Sequence, residues 1–126
     1  MRITIKSFWP AIIWFILSSI AFCLPGQTLP QNDWFAIIQL DKWIHIGLFT
    51  VMVFLWCLPL FHRPGIHLSF TKLFIGISIA FFGYGIVMEL IQHFFIPNRA
   101  FDFGDIAADA IGCLLGFFFV RWQWKQ

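Results

Sequence analysis

Four apolar runs constrain this chain more than any other feature. Each is near the length of a bilayer crossing, and each is closed by Pro, Gly or a basic residue. A spanning helix needs about 20 mostly apolar residues, with a range of about 17–25. The first run is Phe8 to Leu24, ended by Pro25-Gly26, and the second is Trp43 to Phe61, ended by His62-Arg63-Pro64-Gly65. The third is Leu73 to about Ile96, ended by Pro97-Asn98, and the fourth is about Asp105 to Val120, ended by Arg121. None shows the strict alternation of a membrane barrel strand, so helices are expected, with turn residues at the joints. The predicted fold is all-α: an integral membrane four-helix bundle with short loops, one domain over 1–126, with spans at about 8–24, 43–61, 73–96 and 105–120.

Composition supports the same solvent. The chain is 60% hydrophobic and 11% charged, against about 45–50% and about 25% for soluble domains. Eight basic and six acidic residues cannot cover the surface that 126 residues expose in water. This argues against a soluble enzyme, a disordered chain and a nucleic-acid binder, whose basic residues would be more numerous and clustered. Cys23, Cys57 and Cys113 each lie in an apolar run without a CxxC, as packing residues do. A secretory signal is the alternative for the first run: Arg2 and Lys6 precede it, and Ser19-Ile20-Ala21 resembles a cleavage site. Cleavage there would leave three spans.

Charge distribution orients the bundle. With a cytoplasmic N-terminus, Arg2, Lys6, Arg63, Lys72, Arg121 and Lys125 fall inside, and only Lys42 and Arg99 outside. That satisfies the positive-inside bias, and the C-terminus is then also cytoplasmic. The acidic residues take no part in that choice, yet Asp33, Asp41, Glu89, Asp102, Asp105 and Asp109 all fall on the outer side. Trp122 and Trp124 read as an inner interfacial anchor, Trp34 and Trp43 as an outer one.

Helical spacing aligns the polar residues at that outer end. Asp41 and His45 are one turn apart, with Lys42 beside them. Glu89, Gln92 and His93 sit at i, i+3 and i+4. Asp102, Asp105, Asp109, Gly112 and Gly116 follow i, i+3, i+7, i+10 and i+14 down one face of the fourth helix. The lower half of that stripe is Gly-x-x-x-Gly, which admits a second helix closely. A stripe that is glycine below and carboxylate above must face protein. Asp109 lies about 6 Å deeper than Asp105, and Glu89 about 10 Å below the Pro97 turn. A charge near a helix centre costs about 2.5–3.5 kcal/mol on the insertion scale, so partners are needed: His45, Lys42, Arg99, His93 and Gln92. The expectation is one recess, open to the outer face, holding Asp41, Lys42, His45, Glu89, Gln92, His93, Arg99, Asp102, Asp105 and Asp109.

Each residue also has a purely structural reading. Asp41 and Asp105 suit helix N-caps. Glu89 and Asp109 suit a register-fixing ion pair. His45 and His93 suit satisfied core histidines, and Arg99 an interfacial charge. Gly112 and Gly116 are packing residues. Asp33, Lys6, Lys72 and Lys125 read as solvated charges, and His62 and His67 carry no assigned role.

With those residues in view, the chain resembles the VanZ-like family, named for a teicoplanin-resistance membrane protein. The matching pieces are Asp41-Lys42-x-x-His45, Glu89-x-x-Gln92, and Arg99-x-x-Asp102-x-x-Asp105-x-x-x-Asp109-x-x-Gly112-x-x-x-Gly116. They cover the second through fourth spans. This chain carries Asp109 where the family often has Asn, and Phe49 where it often has Tyr. The resemblance implies a small bacterial multi-pass protein of the cytoplasmic membrane, and it links some members to glycopeptide or lipoglycopeptide susceptibility. It implies no particular reaction.

Three functions suit the cluster. The first is a binding or modulatory protein of the cell envelope, its partners being membrane lipid and an envelope-lipid or glycopeptide-type ligand. The second is a membrane-embedded hydrolase or transferase, with Glu89 or Asp105 as base, His45 or His93 as proton shuttle, and Arg99 or Lys42 as anion clamp. No Gly-x-Ser-x-Gly, His-Glu-x-x-His or Walker loop accompanies it. The third is a proton-coupled transporter, for which four short helices would have to form a homo-oligomer. No cofactor and no resident metal is expected; the metal variant would use Glu89 and His93 with Asp105, Asp109 and His45.

Overall fold

The computed structural model describes residues 4–25, 34, 39–62 and 67–124. Arg2, Asp33, Arg63, Lys125, Gly26 and the Pro64-Gly65 turn lie outside the described residues, as do the side chains of His62 and His67.

Among the described residues, four long helices form the bundle. A 3₁₀ turn over Ile5–Phe8 leads into α1, Trp9–Phe22, where Pro10 occupies the first turn and has no intrahelical N–H to lose. Helix α2 is Leu40–Cys57, prolonged by a 3₁₀ stretch over Leu58–His62, where Pro59 cannot continue α-helical bonding. Helix α3 is His67–Phe95 and α4 is Phe103–Trp124. Asn98, at φ 58°, makes the turn between them, a conformation Asn tolerates better than most residues. All four helices are long and apolar enough to cross a membrane: Ile5–Phe22, Leu40–Leu60, Phe70–Phe95 and Phe103–Trp124.

Helices α2, α3 and α4 begin earlier than the apolar runs suggest. Hydropathy marks where a run becomes apolar, whereas the helix starts wherever its first turn can be bonded. So α2 opens at Leu40, after Gln39 in a left-handed conformation, and takes in Asp41 and Lys42. Helix α4 opens at Phe103 and continues to Trp124, past Arg121. Helix α3, with 29 residues, runs about 43 Å, more than the about 30 Å hydrocarbon core.

Packing is closest between α2 and α4. A Cβ on Gly112 would lie 2.7 Å from the Ile46 carbonyl oxygen, and one on Gly116 2.8 Å from Val53 Cβ. The glycines let the two backbones meet, as the Gly-x-x-x-Gly spacing predicts. Thr50 Oγ1 sits in that seam and donates to the carbonyls of Ile46 (2.7 Å) and Gly112 (3.2 Å). Below it the core is apolar: Phe49, Val53 and Cys57 from α2, Phe70 and Phe74 from α3, Cys113 and Val120 from α4. Helix α1 packs more lightly, mainly on α2. It is tied by Trp14 Nε1 donating to the Leu48 carbonyl (3.1 Å) and by the Ser19–Tyr84 hydroxyl pair (2.6 Å). Its outer face, with Ile13, Ile16, Leu17 and Ile20, stays exposed as a lipid-facing helix requires. Trp122 is exposed near the C-terminal end, but Trp124 folds back on Phe70 at 4.6 Å between ring centroids instead of standing out as an anchor.

Candidate functional site: a polar recess at one end of the bundle

The end at which α2 and α4 start and α3 stops gathers buried polar side chains. His45, Glu89, Gln92, Asp105 and Asp109 are each 5% exposed or less. Each arrives there for a local reason. The first two turns of α2 carry Lys42 and His45. The last two turns of α3 carry Glu89 and Gln92. The first two turns of α4 carry Asp105 and Asp109, and the Gly112/Gly116 contact below fixes that face toward α2.

Lys42 is the hub of the upper layer. Its Nζ donates to Asp102 Oδ2 at 2.9 Å and Asp105 Oδ1 at 3.5 Å, and stands 3.7 Å from Asp41 Oδ2. Its stem passes Gly104, where a Cβ would be 2.5 Å from Lys42 Cε. Asp102 caps α4, accepting from the Gly104 amide at 2.7 Å. The Lys42 ammonium holds the Asp102 carboxyl below its ordinary range. This corrects the capping expectations. Asp105 does not cap α4, because the helix starts two residues sooner, and Asp41 lies in the first turn of α2, where the helix dipole favours an acid.

Glu89 completes that cap from another helix. Its Oε1 accepts from the Asp102 backbone N–H at 2.8 Å. In a capping box, a Glu of the same helix does this; here α3 supplies it across the seam. Glu89 thus caps the start of α4 rather than of its own helix, instead of entering the ion pair its spacing suggested. Glu89 Oε2 is buried and has no hydrogen-bond partner among the described residues.

The lower layer is a buried pair. His45 Nδ1 donates to Asp109 Oδ1 at 2.7 Å, with the two side chains 6% and 1% exposed. The Phe22 ring lies 4.9 Å from the imidazole, and Asp109 Oδ2 lies where a Cβ of Gly85 would stand. Helix α1 closes the side: its Phe22 carbonyl accepts from Gln92 Nε2 at 2.9 Å.

Two predicted members lie elsewhere. His93 is exposed, edge-on to Phe94 and Phe101. At i+4 from Glu89 it falls on the far side of a buried face that Gln92, at i+3, fills. Arg99 Nε donates to the Leu24 carbonyl at 3.3 Å and makes no described ion pair with the acids. Its position is set by a turn, where no helical period can be read. Gly85, Ser19 and Tyr84 enter the surroundings without a sequence prediction. A signal for one was there: Tyr84 is the chain's single tyrosine, in mid-span, where a phenol needs a partner.

Five carboxylates (Asp41, Glu89, Asp102, Asp105, Asp109) therefore meet one ammonium and one imidazole. The arrangement suits ligands that donate hydrogen bonds or carry positive charge. The metal set built on Glu89 and His93 is not assembled, since His93 faces away. Asp41, Asp102 and Asp105 do bring ligand atoms within 4.8 Å of one another, but the Lys42 ammonium already stands among them. A comparison with family models, with curated proteins and with solved structures finds no match.

Proposed function

We propose that this is a bacterial multi-pass membrane protein of the VanZ-like kind, with cytoplasmic termini, whose polar recess faces outward and binds or modulates a cell-envelope ligand. What supports this is the meeting of three remote segments, the same three that carry the resemblance: Lys42 among Asp41, Asp102 and Asp105, His45 on Asp109, and Glu89 on the Asp102 amide. Burying so much charge costs free energy that a purely structural seam could avoid. The ligand is acid-seeking, because the acids outnumber the cations. The probe is teicoplanin, titrated onto the purified full chain in detergent. Asp105→Asn and Glu89→Gln weaken its binding while the helical spectrum is kept. Equal binding by both variants and the parent chain rejects the proposal.

A membrane-embedded hydrolase or transferase acting on an envelope lipid is the second reading, and the His45–Asp109 bond favours it. That bond leaves Nε2 as the imidazole's free nitrogen, the geometry a general base needs. Two observations weigh on the other side: Lys42 is shared by three carboxylates, and Arg99 lies off the cluster, so neither stands free to clamp an anion. Lipid turnover that persists in His45→Ala and Glu89→Gln rejects this reading. A proton path draws less support. Ser78 and Thr71, in the other half, are held by the Phe74 carbonyl and by Arg121, and the core between is apolar.

A further inference from the structure

Beneath the recess, the membrane-facing edge of the α3–α4 seam carries a groove. Ile75, Ile79 and Phe82 line it from α3, and Ala110, Leu114 and Phe117 from α4. Its volume is 350 Å³ and its walls are almost wholly apolar, within the about 300–1,000 Å³ of small-ligand sites. The groove and the recess share one seam. Glu89 is seven residues, two turns, beyond Phe82 on the same face of α3, and Ala110 directly follows Asp109 on α4. The vertical separation from Phe82 to Glu89 is about 10 Å. By helical register the acidic recess therefore lies about two turns along the seam from an apolar trough that opens toward lipid.

Glu89 adds an observation independent of the acid count. The residue is 1% exposed, its Oε1 is committed to the Asp102 amide, and its Oε2 has no described donor. A buried acceptor without a donor costs free energy. Lys42 does not satisfy it: its ammonium donates to Asp102 and Asp105, and no described bond joins it to Glu89. A metal ion is a poor occupant. Among the described residues, the group of acids close enough to hold one is Asp41, Asp102 and Asp105, which does not include Glu89. The missing partner is a hydrogen-bond donor, and a cationic one suits the surplus of carboxylates.

We infer that the recess and groove together bind a membrane amphiphile whose headgroup carries a primary ammonium: the ammonium donates to Glu89 Oε2, and a hydrocarbon chain lies along the α3–α4 groove. This rests on the reading that the recess binds an envelope ligand, and names its chemical class. A quaternary ammonium has the charge but no N–H, and a glycerol headgroup has donors but no charge, so the class is distinguishable. The orphan oxygen is closed to bulk water, so the headgroup reaches it by displacing neighbours from the groove side.

The test is native mass spectrometry of the full chain in detergent, titrated with dioleoyl phosphatidylethanolamine, phosphatidylcholine and phosphatidylglycerol. One charge-assisted hydrogen bond predicts about tenfold tighter retention of the ethanolamine lipid than of the other two. Glu89→Gln keeps the oxygen that caps α4 and removes the charge, so the fold survives and the preference falls to near parity. Ala110→Trp fills the groove, leaves every polar group in place, and weakens retention of the ethanolamine lipid. Equal retention of all three lipids by the parent chain overturns the inference. So does an undiminished preference in Glu89→Gln, which would show that the Glu89 charge holds no headgroup. Competition by free ethanolamine as strong as by the lipid overturns the role of the groove. Teicoplanin binding that depends on Asp105, without any lipid preference, removes this inference alone. Loss of both removes the reading beneath it.

Discussion

The two halves of the α2–α4 seam are held by opposite means. Near the start of α4, Asp102 and Asp105 meet Lys42, and Asp109 meets His45, all through side chains. Two turns lower, Gly112 and Gly116 bring the α4 backbone against Ile46, Thr50 and Val53 with no α4 side chain between. The lower half is the cheaper solution in a membrane: close packing needs no dehydrated charge. The upper half retains groups that are costly to bury. The two halves divide the labour. The glycine half fixes rotation and distance, and that fixed frame lets Asp109 and His45 meet at 2.7 Å. The polar half is the part that the proposed ligand reads.

The largest effect should come from splitting the buried pair. Asp109→Ala leaves His45 without its acceptor in a closed site, and breaking one side of a buried pair costs about 3–5 kcal/mol. Thermal unfolding in detergent should show it as the greatest loss among single changes in the seam. Asp109→Asn keeps the shape and loses less. If Asp109→Ala melts like the parent chain, the pair is not buried as described.

Overpacking the other half comes next. Gly116→Leu puts its side chain against Val53 and the Thr50 carbonyl, at about 1–3 kcal/mol for a core that must shift. Because the frame moves, this change should also weaken the Lys42–Asp105 contact above it, although it touches no polar group. The same substitution at Gly76, where a Cβ meets nothing within 4 Å, should be nearly silent. Equal effects at the two positions would dissolve the distinction between halves.

Much of this contrast is legible in the sequence, and the exceptions have physical reasons. The Asp102 to Gly116 stripe is visible because a helix repeats every 3.6 residues and all five positions stay on one face. Spacing alone cannot resolve the edge of a face, so Gln92 and His93 read as equivalent although one is buried and the other exposed. Nor can it show a bond between helices: Glu89 capping α4 depends on where α3 passes the Asp102 amide. Arg99 sits in a turn without period. Apolarity starts at Asp105 and so points to it as the cap, while the backbone turns helical at Phe103.

Smaller effects follow. Thr50→Val removes the seam's hydroxyl bonds to Ile46 and Gly112 and should cost about 0.6 kcal/mol, the average for interhelical bonds in membranes. The smallest is a pH effect. Lys42 depresses the Asp102 carboxyl, so its contribution is complete above the unfolded value, about 3.9, and is lost as pH falls through the lower folded value. Asp102's side chain is 44% exposed, so solvent screens the pair. Lys42→Met should flatten that acid limb of the stability curve without shifting the neutral plateau much. An acid limb unchanged in Lys42→Met would detach Asp102 from Lys42.

Side chains remote in sequence meet in one recess. A double-mutant cycle on His45 and Asp109, read by unfolding in detergent, tests it most directly. The structure predicts that His45→Ala and Asp109→Ala are non-additive by more than about 1 kcal/mol. The control cycle of His93→Ala with Asp109→Ala should be additive within about 0.5 kcal/mol. Additivity in the His45–Asp109 cycle, or coupling of equal size through His93, would contradict the account.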